Sequence, residues 1–397
     1  MLCPCCSSKN LERFLVRNNV PVHQSTYCRS VKEARSGKIG ELNLFVCETC
    51  GFIFNKTFKS SLMKYGAGYE TNPINSVFYS NYINKLIHYL KDKIRMSSTV
   101  VEIGCGRGYF LRKLLAMNKR YKGYGFDPCY TGPKIDFEGR LVFYNQYFKL
   151  ERLKFPVDLL ICRHVIEHIP NPLTFLKLIR KALSNSPDAY IFFETPSVEW
   201  ILRNRVIWDF FYEHCSYFTI ESLKTIFQNT GFKVKKIQLA FRRQYIWLEA
   251  KLNKETSITK KCPKRILALA KSFANEENNL KNEWKRKITK LKSEGPVAVL
   301  GAGAKGVTFV NLVDPNAKLV DCLVDLNTNI QGLFVQRTGH QIVSYEQLKN
   351  RNIKNAILMN PNYLKENIQR FHKAGIKLNI YYYNYYDKKI VWSKFQL

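Results

Sequence analysis

The sequence predicts an α/β protein: a doubly wound, Rossmann-like core between a small N-terminal cysteine module and a second, smaller Rossmann-like domain. Three observations lead there. Two Cys-x2-Cys pairs, Cys3/Cys6 and Cys47/Cys50, lie within the first 58 residues; strand-like and helix-like stretches alternate from Ser98 to Ala250; and a glycine-rich turn at Gly301–Gly306 starts the alternation again. With 397 residues the chain has room for such a division, domains usually running to ~100–150 residues.

Residues 1–58 form the first module, with strand-like Leu42–Val46 running into Cys47 and Gly51–Phe54 following Cys50. A module this small needs more than apolar burial to stay folded. Residues 59–97 read as a helical connector: after Pro73, Phe78, Tyr79, Tyr82, Ile83, Leu86, Ile87 and Leu90 recur at helical spacing. The core, 98–250, alternates strands at Thr99–Ile103, Tyr121–Phe126, Leu159–Ile161 and Ala189–Glu194 with helices at Tyr109–Met117 and Pro172–Leu183. Residues 251–292, rich in lysine and asparagine, predict one or two exposed linking helices. The last domain, 293–397, has strands at Val297–Leu300, Leu319–Val324 and Ala356–Met359.

Composition narrows the function classes. Sixty-three Lys and Arg face 31 Asp and Glu, a formal charge of +32, which favours anionic partners. The basic residues do not gather into one arm, which fits an excess of lysine spread over exposed faces with no partner implied; a net-positive surface suits phosphorylated small molecules as well as RNA. Apolar runs stop well short of the ~18 residues of a membrane span. Met1-Leu2-Cys3-Pro4-Cys5-Cys6 lacks the order of a secretory signal, so a cytoplasmic location and reduced thiols are expected for the 12 cysteines.

Each Cys-x2-Cys pair can place two sulfurs on one ion, so Cys3, Cys6, Cys47 and Cys50 predict a tetrahedral zinc site. Cys5, Cys28 and His23 are possible substitutes. Four thiolates leave no open position, which assigns the metal to folding and not to catalysis.

The second constellation is the turn after the first core strand. Gly104, Gly106 and Gly108, with Tyr109 opening the next helix, permit close backbone approach to a ligand. Glu102 precedes them, and Asp127 ends the following strand, where a carboxylate can accept the two ribose hydroxyls of a nucleoside. The glycine spacing departs from G-x-G-x-x-G and favours S-adenosylmethionine over a dinucleotide. Cys162–Pro170 resembles the post-strand segment of class I methyltransferases, with Asp158 and His164 expected near the cofactor and His168 either there or merely at a helix start. In the third constellation, Trp208–Phe218, Glu213 and His214 sit among aromatic side chains, where an imidazole can be poised as a general base.

Together these motifs resemble the nucleotide-linked deoxysugar C-methyltransferases, which join a four-cysteine zinc module, a class I methyltransferase core and a C-terminal Rossmann-like domain. The resemblance covers nearly the whole chain. It rests on Cys3/Cys6/Cys47/Cys50, residues 102–109, Tyr212–Phe218, and Gly301–Gly306 followed by Val324-Asp325, Gln331-Gly332 and Thr338-Gly339-His340. It implies S-adenosylmethionine as methyl donor, a nucleotide-linked 4-ketosugar as acceptor, and His214 as the base removing the proton at C3. Glu213 would orient or strengthen that base, and Lys305 would lie near phosphate. The family motif Tyr-His-Glu-His is here Phe211-Tyr212-Glu213-His214, so the phenol stabilising the enolate stays open among Tyr212, Tyr217, Tyr65 and Tyr69. Gly-Cys-Gly-Arg-Gly also departs from the Ser-Asn-Asp-Gly of many members, as does Asn360-Pro361-Asn362. An O- or N-methyltransferase on another glycan precursor, an RNA methyltransferase and a binding protein without turnover are the alternatives.

Overall fold

The computed structural model describes residues 2–66, 68–69, 76–149, 153, 155–253 and 265–393. Pro73 and Cys262 lie outside them. Among the described residues the strands form three sheets, one for each expected folded unit.

The N-terminal sheet is antiparallel, in the order Leu11–Pro21, Ile39–Cys47, Ile53–Asn55, Ser216–Tyr217. Its last strand comes from the core, so Phe54 pairs with Ser216, two residues beyond His214. Leu42, Leu44 and Val46 alternate inward and are fully buried.

The core sheet has eight strands, in the order Phe232–Ala240, Tyr245–Leu252, Tyr190–Pro196, Leu159–Arg163, Thr99–Ile103, Lys122–Phe126, Leu141–Tyr144, Ile135–Asp136. The five from Tyr190–Pro196 to Leu141–Tyr144 are parallel. Their near-continuous apolar runs suit strands covered on both faces. The chain crosses from the Lys122–Phe126 side of Thr99–Ile103 to its Leu159–Arg163 side, and that reversal opens a crevice at the strands' carboxyl ends. The connector is helical over Val77–Lys91, with Ile83, Leu86, Ile87 and Leu90 buried at the expected spacing. Its first turn is held by the last domain: Ser76 Oγ (2.9 Å) and Phe78 N (3.4 Å) donate to Glu366.

The C-terminal sheet is mixed and also eight-stranded; Val297–Leu300 lies between Cys322–Val324 and Asn355–Leu358, parallel to both. Its edge is completed by Tyr27–Cys28 of the first module, which pairs with Phe334–Val335.

Where the structure describes the expected exposed linker beyond Asn253, it is the helix Arg265–Ser293, with a buried stripe of Ile266, Ala270, Phe273, Glu277, Leu280, Trp284, Ile288 and Leu291. Wide polar spacing hides this stripe in the sequence. Its buried carboxylate is met by Arg17, whose Nη2 lies 2.7 Å from Glu277 and whose Nη1 donates to Phe210 O at 2.7 Å. Removing one partner of such a pair leaves a buried charge, which costs about 3–5 kcal/mol. Arg17→Met is therefore expected to lower unfolding stability by that amount in urea titration, whereas an unchanged midpoint would remove the pair from the account of how the three units are held.

Candidate active site

The carboxyl ends of the core strands open on a cavity of about 710 Å³. Its floor is the glycine-rich turn. Gly104 and Gly108 have φ of +75° and +78°, and a Cβ would fall 2.1 Å from Val165 Cγ2 and 2.4 Å from Phe143 Cζ respectively. Only glycine satisfies both the left-handed backbone and the space. Gly106 N donates to Asp127 Oδ2 (2.8 Å) and Cys129 N to Oδ1 (2.7 Å). Each oxygen keeps a lone pair for a ligand hydroxyl.

Glu102 faces the same space, is buried, and its Oε2 has no hydrogen-bond partner. Burial pushes its carboxyl up to about 8, partly offset by the charge of Arg163. An orphaned buried carboxylate oxygen beside an open cradle fits a site that receives a polar ligand. Tyr109 lines the wall and its hydroxyl lies 3.1 Å from Ser80 Oγ.

His164 also lines the cavity, in a left-handed conformation with φ of 53°. Its Nε2 is 2.8 Å from Glu194 and its Nδ1 3.3 Å from Glu167. Burial opposes a charge on the ring, but these carboxylates outweigh it and push the pKa up to about 9. Arg163 donates to Glu194 at 2.9 Å, and Tyr82 and Trp247 donate to its other oxygen. Sequence reasoning missed this network. Arg163 and Glu194 end adjacent paired strands, which strand pairing alone reveals. Asp158, expected near the cofactor, lies at the opposite end: it precedes its strand, and its carboxylate accepts from Thr99 N at 2.8 Å.

The cavity wall also carries Tyr65, Tyr69 and His168. Tyr65 Oη and His168 Nδ1 are 3.1 Å apart, so His168 is on the wall and not simply a helix-start residue. The His214 ring meets the His168 ring edge to face, with centroids 4.7 Å apart, and lies 4.1 Å from that of Phe211. His214 is half-buried and touches the cavity-lining His168 without itself lining the cavity. Burial, then the neighbouring His168, His164 and Lys305, hold its pKa well below the usual imidazole value.

Glu213 points elsewhere. Its carboxylate accepts from Tyr69 Oη (2.8 Å) and Gln24 N (2.8 Å), with His23 Nδ1 at 3.4 Å. The expected direct orientation of His214 by Glu213 does not match this geometry; a neighbour in sequence has its side chain on the other side of the backbone. Tyr212 accepts from Lys59 N through its hydroxyl (2.8 Å), and the Tyr217 hydroxyl donates to Phe211 O (3.1 Å), so both phenols are turned into the packing. The Lys305 ammonium is paired with Asp209. Of the four candidate phenols, Tyr65 and Tyr69 reach the cavity, and Tyr69 is held by Glu213.

In the first module, the sulfurs of Cys3, Cys6, Cys47 and Cys50 all lie within 4.8 Å of one another. Cys3 and Cys50 are 3.8 Å apart and Cys6 and Cys47 3.6 Å, close to the ~3.8 Å edge of a tetrahedron with ~2.3 Å zinc–sulfur bonds. The donors therefore fit zinc. Cys5 instead donates to Ser222 O (3.5 Å), Cys28 pairs in the C-terminal sheet, and His23 faces Glu213.

Residues 77–237 match the family described as methyltransferase domain, and residues 251–380 match the C-methyltransferase C-terminal domain. No curated protein matches the chain. Solved structures with similarity include a SAM-dependent methyltransferase from Aquifex aeolicus (17% identity, 43% of this chain and 97% of that one, TM-score 0.32). Others are a cyclopropane synthase from Mycobacterium tuberculosis (16%, 46% and 70%, 0.33) and the 1,6-didemethyltoxoflavin-N1-methyltransferase of Burkholderia thailandensis (15%, 45% and 80%, 0.34). The chain is an S-adenosylmethionine-dependent methyltransferase with a class I core. Among the described residues no helix is long and apolar enough to cross a membrane.

Proposed function

We propose that this methyltransferase acts on carbon, at C3 of a nucleotide-linked 4-keto deoxysugar, with His214 as general base. One cavity running from the glycine-rich turn to His168, whose ring meets that of His214, carries the proposal: a donor on the turn and an acceptor beside His168 would share one space. The match of residues 251–380 supports carbon as the methylated atom.

S-adenosylmethionine supplies an electrophilic methyl group. A carbon acceptor has no lone pair to offer, so the protein must first make one available by removing a proton beside the ketone. His214, kept uncharged by its surroundings, takes that proton. The Tyr65 hydroxyl donates to the enolate oxygen as its charge develops. Tyr69 and Glu213, bonded to each other, hold the wall behind Tyr65. Glu102, Gly104, Gly106, Gly108, Tyr109, Asp127 and His164 would hold the donor. Cys3, Cys6, Cys47 and Cys50 would hold a zinc ion whose role is to fold the module beside the site.

Base-catalysed exchange tests the proposal without methyl transfer. Incubated in deuterated solvent with a nucleotide-linked 4-ketosugar and no S-adenosylmethionine, the wild-type protein should place deuterium at C3, and His214→Gln should not. Exchange by His214→Gln at the wild-type rate would overturn the base assignment. Asp127→Ala should weaken S-adenosylmethionine binding by about 2–3 kcal/mol, the worth of hydrogen bonds to a charged group. Calorimetric affinity unchanged from wild type would place the ribose elsewhere.

A further inference from the structure

Glu167, His168 and His214 form a second group of metal-binding side chains, outside the cysteine module. One ligand atom of each lies within 4.8 Å of the other two. We propose that these three side chains bind a divalent transition ion, and that the ion shuts the site off by taking the electron pair His214 needs as a base.

The donor chemistry selects the class of ion. Two imidazoles and one carboxylate form a mixed nitrogen and oxygen set, which suits zinc, cobalt or nickel and not magnesium or calcium. Three protein ligands leave a position open to the cavity, as in sites with two histidines and a glutamate. The carboxylate is fixed: Glu167 is buried, with Oε2 accepting from Thr195 Oγ1 at 3.1 Å and Oε1 lying 3.3 Å from His164. The two rings are half-buried. Ligands on ~2.1 Å bonds sit ~3.4 Å apart, and all three ligand atoms here lie within 4.8 Å of one another. His168 has its orienting partner in place, since Nδ1–H can donate to Tyr65 Oη at 3.1 Å while Nε2 takes the ion. His214 has no hydrogen bond to break among the described residues.

Ion binding and proton removal need the same lone pair of His214, so the two exclude each other. The proposal does not depend on the identity of the acceptor, because the ion can be measured with no substrate present.

The full chain, with zinc already on its four thiolates, would be dialysed against Co²⁺ alone and its metal content measured. One cobalt per chain is expected beyond the zinc, without a thiolate-to-cobalt charge-transfer band. Losing even an outer partner of a ligand weakens metal binding ~10–100-fold, so His168→Ala and His214→Ala should each weaken cobalt binding at least about 10-fold. Zinc content and circular dichroism should stay unchanged. No retained cobalt, cobalt held equally by both variants, or cobalt appearing with a thiolate band as zinc leaves, would each overturn the proposal. The shut-off rests on His214 being the base: if cobalt binds as expected but deuterium exchange is absent without it, the metal site stands while the base assignment, and with it the shut-off, fails.

Discussion

His214→Gln is expected to leave the protein folded and its S-adenosylmethionine affinity unchanged, while the chemical step slows about 100- to 10,000-fold, the usual contribution of a positioned base. Binding and chemistry separate because the donor's cradle, from Glu102 to Asp127, and the imidazole pair are made of different side chains. Single-turnover rates on a confirmed acceptor check this. If His168→Gln abolishes the step and His214→Gln does not, the base is the ring on the cavity wall.

The second large effect is expected from the cysteine cluster. Cys50→Ser should reduce zinc from one per chain toward none and destabilise the first module by several kcal/mol, because in small metal domains binding energy is folding energy. The damage should reach the segment that carries His214. Cys3, Cys47 and Cys50 share a hydrophobic cluster with Phe52 and Phe218, whose rings are 4.9 Å apart, Cys6 packs against it, and Phe54 pairs with Ser216. Methyl transfer should therefore fall along with zinc, while affinity for S-adenosylmethionine falls less. Zinc content equal to that of wild type, measured by metal analysis, would remove Cys50 from the ligands.

The sequence carried the parts of this architecture that follow from local rules. Alternating apolar runs and the turn at Gly104–Gly108 located four of the eight core strands to within a few residues, because strand and helix periodicity are written in consecutive positions; Ile135–Asp136, Leu141–Tyr144, Phe232–Ala240 and Tyr245–Leu252 were not read. The grouping of Cys3, Cys6, Cys47 and Cys50 was legible for a similar reason: each pair needs only one tight turn, and the antiparallel strands Leu11–Pro21 and Ile39–Cys47 bring the two turns together.

What stayed hidden depends on pairing between distant segments. Nothing in the sequence tells that Tyr27–Cys28 completes the C-terminal sheet or that Ser216–Tyr217 completes the N-terminal one. The polar residues of Arg265–Ser293 suggested an exposed linker, yet Glu277 is buried because Arg17, far away in sequence, meets it. The same limit applied to Glu213. Adjacency to His214 suggested a working pair, and the tertiary fold gives its carboxylate to Tyr69, Gln24 and His23 instead. His168 gained its place on the cavity wall only through Tyr65, more than a hundred residues earlier.

The central claim, methyl transfer to a sugar carbon, is tested most directly by mass spectrometry of the products formed from S-adenosylmethionine and a panel of nucleotide-linked 4-ketosugars. The expected result is a product one methyl group heavier, with the new carbon bonded to C3 and the transfer lost in His214→Gln. A methyl group on oxygen or nitrogen, or no sugar product while RNA becomes methylated, would contradict it.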